Sequence, residues 1–307
     1  VYITFYAKIS NLGNTGGTRT IVKSAEILRD LGHKVDIVAR KDRFTWLRHE
    51  IPKSTINKKT DIVVAVSAQD INSMHEEWKG DKSWWIRGWE TWKVPEEEII
   101  RKLYRQPMIA NSLWLKEKVE EHTDCSLRYA GFGLDNLYDM KMRSEPTTIG
   151  FLYNERHPTK WKMIEKIMVK YPNYKYIAFG DTNKPAHFNP KVRYVKRPNM
   201  EVKRSIYSQC NIWFAPTELE GFHNVPAEAN LCGCLVMCNR LDTNGMEYAT
   251  EQTADRFNGF KEAYECVKYP HYERIPKMQK ELFKIGSRRS CMSKFAQQLE
   301  LYTEKYI

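Results

Sequence analysis

The sequence predicts an α/β chain built as two Rossmann-like parallel-sheet domains facing a cleft. Short apolar runs alternate with helical patterns along almost the whole chain. A polar, proline-containing stretch, Asp139–Thr148 (DMKMRSEPTT), interrupts that alternation near the middle. The length, 307 residues, suits about two domains.

The first forty residues have the form of a βαβ unit. Val1–Phe5 is an apolar strand, and Asn11–Gly17 (NLGNTGG) reads as a glycine-rich turn. Thr20–Leu31 places Ile21, Val22, Ala25 and Leu28 at helical spacing before Gly32, and Val35–Ala39 is the next strand. Strands follow at Asp61–Val66, Ser83–Ile86 and Met108–Ala110, with helices at Glu96–Tyr104 and Leu113–Glu121. The second series has strands at Thr148–Leu152, Tyr174–Phe179, Val192–Val195, Ile212–Ala215 and Leu235–Cys238. Its helices are expected at Lys160–Lys170, Met200–Ser208, Ala227–Leu231, Gln252–Val267 and Ile275–Leu301. The expected division is residues 1–143, residues 144–286, and a terminal helical segment 287–307. Open parallel sheets bind ligands at the carboxyl ends of their strands, so function is sought there.

Composition narrows the function classes. Apolar residues make up 42% and charged residues 28%, enough to build cores. No apolar run approaches the ~18 residues of a membrane-spanning helix. Residues 1–10 (VYITFYAKIS) read as a strand and not as a signal peptide. Seven cysteines disfavour a disulfide scaffold and lead to the expectation of a cytoplasmic protein. The net charge of +11 favours anionic partners: nucleotides, phospholipid surfaces or nucleic acid. No Asp-x-Asp pair occurs, and Cys232, Cys234 and Cys238 lack a second pair at zinc-like spacing. No metal and no cofactor is therefore expected.

The segment Pro216–Cys238 (PTELEGFHNVPAEANLCGCLVMC) is the most informative. It follows a strand and turns into a helix, so its backbone amides can face an anion, with the helix dipole adding to the attraction. Glu220 and Glu228 are separated by seven residues, with Gly221, Phe222, His223, Asn224 and Val225 between them. The order Glu220-Gly221-Phe222, then Glu228-Ala229, then Cys232-Gly233-Cys234-Leu235-Val236 resembles the E-x7-E region of family 4 retaining glycosyltransferases, which have the GT-B fold. Family texts carry glycine at the position of His223. The resemblance extends to Asn11–Gly17, to Ile109-Ala110-Asn111-Ser112 followed by Trp114-Leu115-Lys116, to Ala130–Asp135, and to Asn239–Tyr248, which resembles a loop ending in GxxEY.

The resemblance implies a metal-independent hexosyltransferase acting on a nucleotide-sugar, a UDP-sugar and by frequency UDP-glucose. It implies that Glu220 holds donor-sugar hydroxyls, that Glu228 holds the ribose, and that amides near Asn224 and Val225 receive the diphosphate. Arg156 and Lys160 would supply the cations that stabilise the departing diphosphate. Gly16 and Gly17 would let the backbone approach the donor. It also implies that the terminal helix crosses back to the first domain.

Ser83–Pro95 (SWWIRGWETWKVP) concentrates tryptophan after a strand. Trp89 and Trp92 are candidates for stacking on an acceptor, and Arg87 and Glu90 for catalytic or acceptor-orienting roles; a salt bridge between those two is the structural alternative. The acceptor is expected among glycans, lipid-linked acceptors and modified nucleic acids, and contact with an anionic membrane surface is a further expectation. Two rival readings remain at this level. One is a nucleic-acid-binding protein without catalysis, resting on +11 and on Lys191, Arg193, Lys196, Arg197, Lys203 and Arg204. The other is a glycoside hydrolase using Glu220 and Glu228 as its carboxylate pair.

Overall fold

The computed structural model describes residues 1–47, 49–50, 53–135, 147–154, 158–186 and 188–303. The chain divides into two compact units, Val1–Gly133 with Ser287–Ile307, and Leu134–Gly286. The boundary expected at residue 143 lies outside the described residues.

The first unit holds a six-stranded parallel sheet. Its strands are β1 (Tyr2–Tyr6), β2 (Lys34–Val38), β3 (Ile62–Ala65), β4 (Asp81–Ile86), β5 (Met108–Ala110) and β6 (Leu127–Tyr129), in the order β2-β1-β3-β4-β5-β6. The interior strands β1, β3 and β5 are buried on both faces almost throughout, as a sheet covered on both sides requires. Helix α1 (Gly16–Asp30) starts at Thr15, whose hydroxyl accepts from the Thr18 amide at 3.1 Å, and it ends before Gly32 at φ +94°. The glycine-rich turn is thus shorter than expected. Gly16 and Gly17 already belong to the helix, because the threonine cap supplies a stronger start signal than the glycines supply a break.

Helices α2 (Ile71–Glu77), α3 (Glu96–Leu103) and α4 (Leu113–Glu120) complete the amino-terminal part. The second unit contains β7 (Thr148–Tyr153), α5 (Pro158–Lys170), β8 (Lys175–Gly180), β9 (Val192–Lys196), α6 (Met200–Gln209), β10 (Ile212–Ala215), α7 (Asn224–Leu231), β11 (Leu235–Asn239), β12 (Asp255–Phe257), α8 (Gly259–Lys268) and α9 (Ile275–Ile285). Its sheet is also parallel, in the order β12-β11-β10-β7-β8-β9. Two helical expectations are corrected here. Gln252–Val267 splits into β12 and α8, because Asp255–Phe257 pairs with β11 and Gly259 turns at φ +73°. Ile275–Leu301 splits at Gly286, φ +88°, into α9 and α10 (Arg288–Thr303). Strand β6 and helix α2 are too short to announce themselves by periodicity.

Helix α10 belongs to the first unit. Cys291, Met292, Phe295, Ala296, Leu299 and Tyr302 join the core formed by Ile3, Phe5, Val22 and Trp85. The ring of Phe295 lies 5.0 Å from that of Trp85, and the Tyr302 hydroxyl donates to the Met108 carbonyl at 2.8 Å. Burying an aromatic side chain of this size stabilises by about 1.5–3 kcal/mol, so α10 completes the apolar cover of this sheet.

Candidate functional site

Each sheet has a point where the strand order reverses, and parallel sheets open a crevice there. In the second unit it lies between β7 and β10. A pocket occupies this place, lined by Tyr153 at the end of β7 and Asn154 after it, Trp161 of α5, Pro216 and Thr217 after β10, and by Glu220 and His223. Topology therefore brings Glu220 and His223 to the carboxyl end of the sheet, at the switch point.

The Glu220 loop is held from behind by the segment after β11. The Glu220 amide donates to the Thr243 carbonyl at 3.0 Å, and the His223 amide donates to the Gly245 carbonyl at 2.8 Å. The Thr243 hydroxyl donates to the Glu218 carbonyl at 2.7 Å, and the Tyr248 hydroxyl to the His223 carbonyl at 2.6 Å. Tyr248 is buried, and desolvation holds its hydroxyl far above its usual titration range, so it stays a donor. Gly245 sits at φ +69°, and a Cβ there would lie 2.9 Å from the Glu220 Cβ. The two loops approach too closely for a side chain. Phe222 is buried beside Tyr248, ring centroids 5.6 Å apart, and anchors the loop.

Helix α7 begins directly after His223, which caps it in an extended conformation without a side-chain cap bond. The amides of Asn224 and Val225 lead the helix, and Pro226 lacks an amide hydrogen, so its position adds no orphan donor. The Asn224 Oδ1 is buried without a hydrogen-bond partner among the described residues. Glu228 lies one turn further in, 3% exposed, and accepts from the buried Tyr207 hydroxyl at 2.9 Å. It is not among the residues that line the pocket. Arg156 lies outside the described residues; Lys160 is in the first turn of α5, its side chain likewise outside them.

In the first unit the strand order reverses between β1 and β3. Arg87, after β4, donates to the Val66 carbonyl from Nη2 at 2.6 Å and to the Gly17 carbonyl from Nη1 at 2.9 Å. It ties the exit of β3 to the first turn of α1. Burial pushes the guanidinium pKa down, while the Glu90 and Asp70 charges oppose that shift. Glu90 does not pair with Arg87. Its Oε2 accepts from the Ser67 hydroxyl at 2.5 Å and the Ala68 amide at 2.8 Å, and its Oε1 meets Lys93 Nζ at 3.2 Å. The salt bridge expected as the structural alternative is therefore replaced by two separate attachments to the segment after β3.

Gly16 has open space beside it, whereas a Cβ on Gly17 would meet Arg87 Nη1 at 3.5 Å. Trp89 and Trp92 part company. Trp89 is 4% exposed, stacks on His122 at 5.8 Å and donates to Glu96 at 2.7 Å, so its ring serves the core. Trp92 is 57% exposed.

Sequence reasoning passed over Asp70 and Tyr207. Asp70 is fully buried and accepts from the amides of Ile9 and Ser10, at 2.8 and 3.1 Å, and from the Ser10 hydroxyl at 2.7 Å. It fixes the loop leaving β1, and burial raises its carboxyl to about 6. Nothing in the local sequence marks it, since the donors lie about sixty positions away. Among the described residues no group of three or more His, Cys, Asp or Glu could hold a metal ion, and no helix is long and apolar enough to cross a membrane.

No protein-family model matches the chain, and no curated protein sequence matches it. Solved structures do. A sucrose-phosphate synthase (tll1590) from Thermosynechococcus elongatus is similar with a TM-score of 0.77 at 12% identity, covering 97% of this chain and 98% of that one. Anabaena Alr3699/HepE in complex with UDP has a TM-score of 0.75 at 14% identity, covering 98% of this chain and 100% of that one. A glycosyltransferase from Rickettsia africae ESF-5 has a TM-score of 0.71 at 14% identity, covering 99% and 98%. At these identities the likeness is one of fold. The chain has the two-sheet α/β architecture of GT-B glycosyltransferases.

Proposed function

We propose that the protein is a retaining glycosyltransferase of the family 4 type, moving a sugar from a UDP-sugar donor to a hydroxyl acceptor. The observation that carries the reading is the placement of the Glu220 loop and the α7 amino terminus at the β7/β10 switch point. The fold likeness to Alr3699/HepE, solved in complex with UDP-glucose, supports the donor class.

In this reading Glu220 accepts hydrogen bonds from donor-sugar hydroxyls. The amides of Asn224 and Val225, at the positive end of α7, receive the diphosphate. The unpartnered Asn224 Oδ1 offers an acceptor for a further ligand hydroxyl or amide. Glu228, oriented by Tyr207, takes the ribose. Arg156 and Lys160 add positive charge as the leaving diphosphate gains negative charge, so no metal is required. Arg87 and Glu90 shape the acceptor side of the first unit and Trp92 offers a ring to stack on the acceptor. A cytoplasmic location accords with seven free cysteines.

The test pairs binding with turnover. UDP, without metal, raises the melting temperature more than GDP, ADP or TDP do. Glu220→Ala keeps the wild-type melting temperature and loses donor turnover, read as UDP release with a panel of acceptor alcohols. Wild-type turnover by that variant, or no stabilisation by any nucleotide, rules the assignment out.

A further inference from the structure

The β9 edge of the second unit carries charge that the donor site does not use. Strand β9 is the last in its sheet, so one side of its backbone has no strand partner among the described residues. Between Lys175 and Gln209 the sequence holds eight cations, against the two acids Asp181 and Glu201. Lys191, Arg193 and Lys196 are all exposed; Lys191 and Arg193 share one face of the sheet, and Lys196 ends the strand on the other. Lys175 opens β8 beside this row, in the register that pairs Tyr176 with Val192.

Four of these cations donate to neutral groups among the described residues. Lys184 donates to the Val192 carbonyl at 2.8 Å, Lys191 to the Pro172 carbonyl at 3.3 Å, Arg193 to Gln209 at 2.7 Å and Lys196 to Asn183 at 2.7 Å. Several lysines elsewhere meet carboxylates, Lys8 with Glu77, Lys116 with Glu120, Lys118 with Glu121 and Lys284 with Glu281, while Lys79 and Lys82 donate to carbonyls. Lys191, Arg193 and Lys196 are thus positioned by neutral acceptors, and no carboxylate pairs with them among the described residues. Cations on an edge strand also discourage edge-to-edge pairing, but one or two serve that purpose.

We infer that this edge is a docking stripe for the phosphate backbone of a nucleic acid. Residues 191–197 span about 20 Å along the edge, with Lys191 and Arg193 about 7 Å apart on one face and Lys196 on the other, so a linear polyanion lying along the edge meets cations at both ends of the strand. Arginine and lysine together suit phosphate oxygens. A bilayer surface fits less well, because this segment exposes one large apolar side chain, Val202. Tyr194, the aromatic residue of β9, is half-buried with its hydroxyl on the Thr182 carbonyl, so the stripe reads charge and not bases. The inference stands independently of the transferase reading.

The test is fluorescence anisotropy with a labelled mixed-sequence DNA duplex, between about 50 and 200 mM salt. The triple variant K191E/R193E/K196E weakens duplex binding at least tenfold, and its log-log salt slope becomes shallower by about 2 to 3. The charge-matched variant K261E/K277E/K280E, exposed on α8 and α9, loses less than threefold. Melting temperatures show that both variants are folded, and K191Q/R193Q/K196Q replaces the first if reversal unfolds it. Equal losses in the two variants, or no duplex binding by the wild type at the lower salt, overturn the inference. So does binding to phosphatidylglycerol vesicles that the stripe variant abolishes while the duplex never binds.

Discussion

Gly245→Ala tests how the Glu220 loop is held in place. Gly245 occupies the left-handed region at φ +69°, which costs an alanine about 1–2 kcal/mol. The new methyl would also stand 2.9 Å from the Glu220 Cβ and 3.0 Å from both the Glu220 carbonyl oxygen and the His223 amide nitrogen. Two of those three atoms are backbone, in a loop pinned by four hydrogen bonds, so rotation of a side chain does not relieve the clash. Overpacking of this kind costs about 1–3 kcal/mol. The combined expectation is a loss of about 2–5 kcal/mol, measured as a shift in urea midpoint at unchanged slope. The same displacement moves Glu220 and the start of α7. UDP affinity, read by calorimetry, therefore falls by more than tenfold, equivalent to ~1.4 kcal/mol or more. Gly245→Asn tolerates the backbone better but carries the same Cβ, so it falls between alanine and wild type. Stability within about 0.5 kcal/mol of wild type, with unchanged UDP affinity, would refute the claim that loop contact sets the geometry of the site.

Other variants test other parts of the argument. Burial holds the Asp70 carboxyl at about 6, above its usual 3.8, so the folded protein binds this proton more tightly than the unfolded chain. Its contribution to stability is present at low pH and is lost as pH rises through that window, by about 3 kcal/mol. The stability of Asp70→Asn relative to wild type therefore improves by that amount between about pH 4 and 6, and a pH-independent difference by chemical denaturation would contradict the reasoning. Tyr207→Phe removes the donor to the Glu228 carboxylate and costs about 1.5–3 kcal/mol, together with weaker UDP binding; a neutral result in both assays would show that the hydroxyl does not orient Glu228.

Much of the second unit's organisation was legible along the chain. The strands that form the centre of each sheet are short, continuous apolar runs bounded by polar turns, and Ile212–Ala215 is bounded in the structure as read from the sequence. The loop carrying Glu220 and the helix carrying Glu228 could be placed because a strand, a glycine and an apolar helix follow one another without interruption. The errors have local causes. Asp255–Phe257 has a strand's length but lies inside a pattern compatible with a helix, and only its pairing with β11 decides the matter. The break between α9 and α10 rests on the backbone conformation of Gly286, which helical spacing on either side of it conceals.

Residue types and spacing determined the alternation of elements, the clustering of cations near β9 and the acidic pair around the start of α7. Those properties depend on neighbours a few positions apart, which the sequence displays directly. The tertiary structure decided which polar groups share a place. Arg87 takes the carbonyls of Val66 and Gly17, Glu90 takes Ser67 and Ala68, and Asp70 holds Ile9 and Ser10. It also decided that Trp89 is core while Trp92 is exposed, although they stand three positions apart. Burial and hydrogen-bond partnership are set by chain segments that are distant in sequence, and in both units the order of strands in the sheet determines which segments meet.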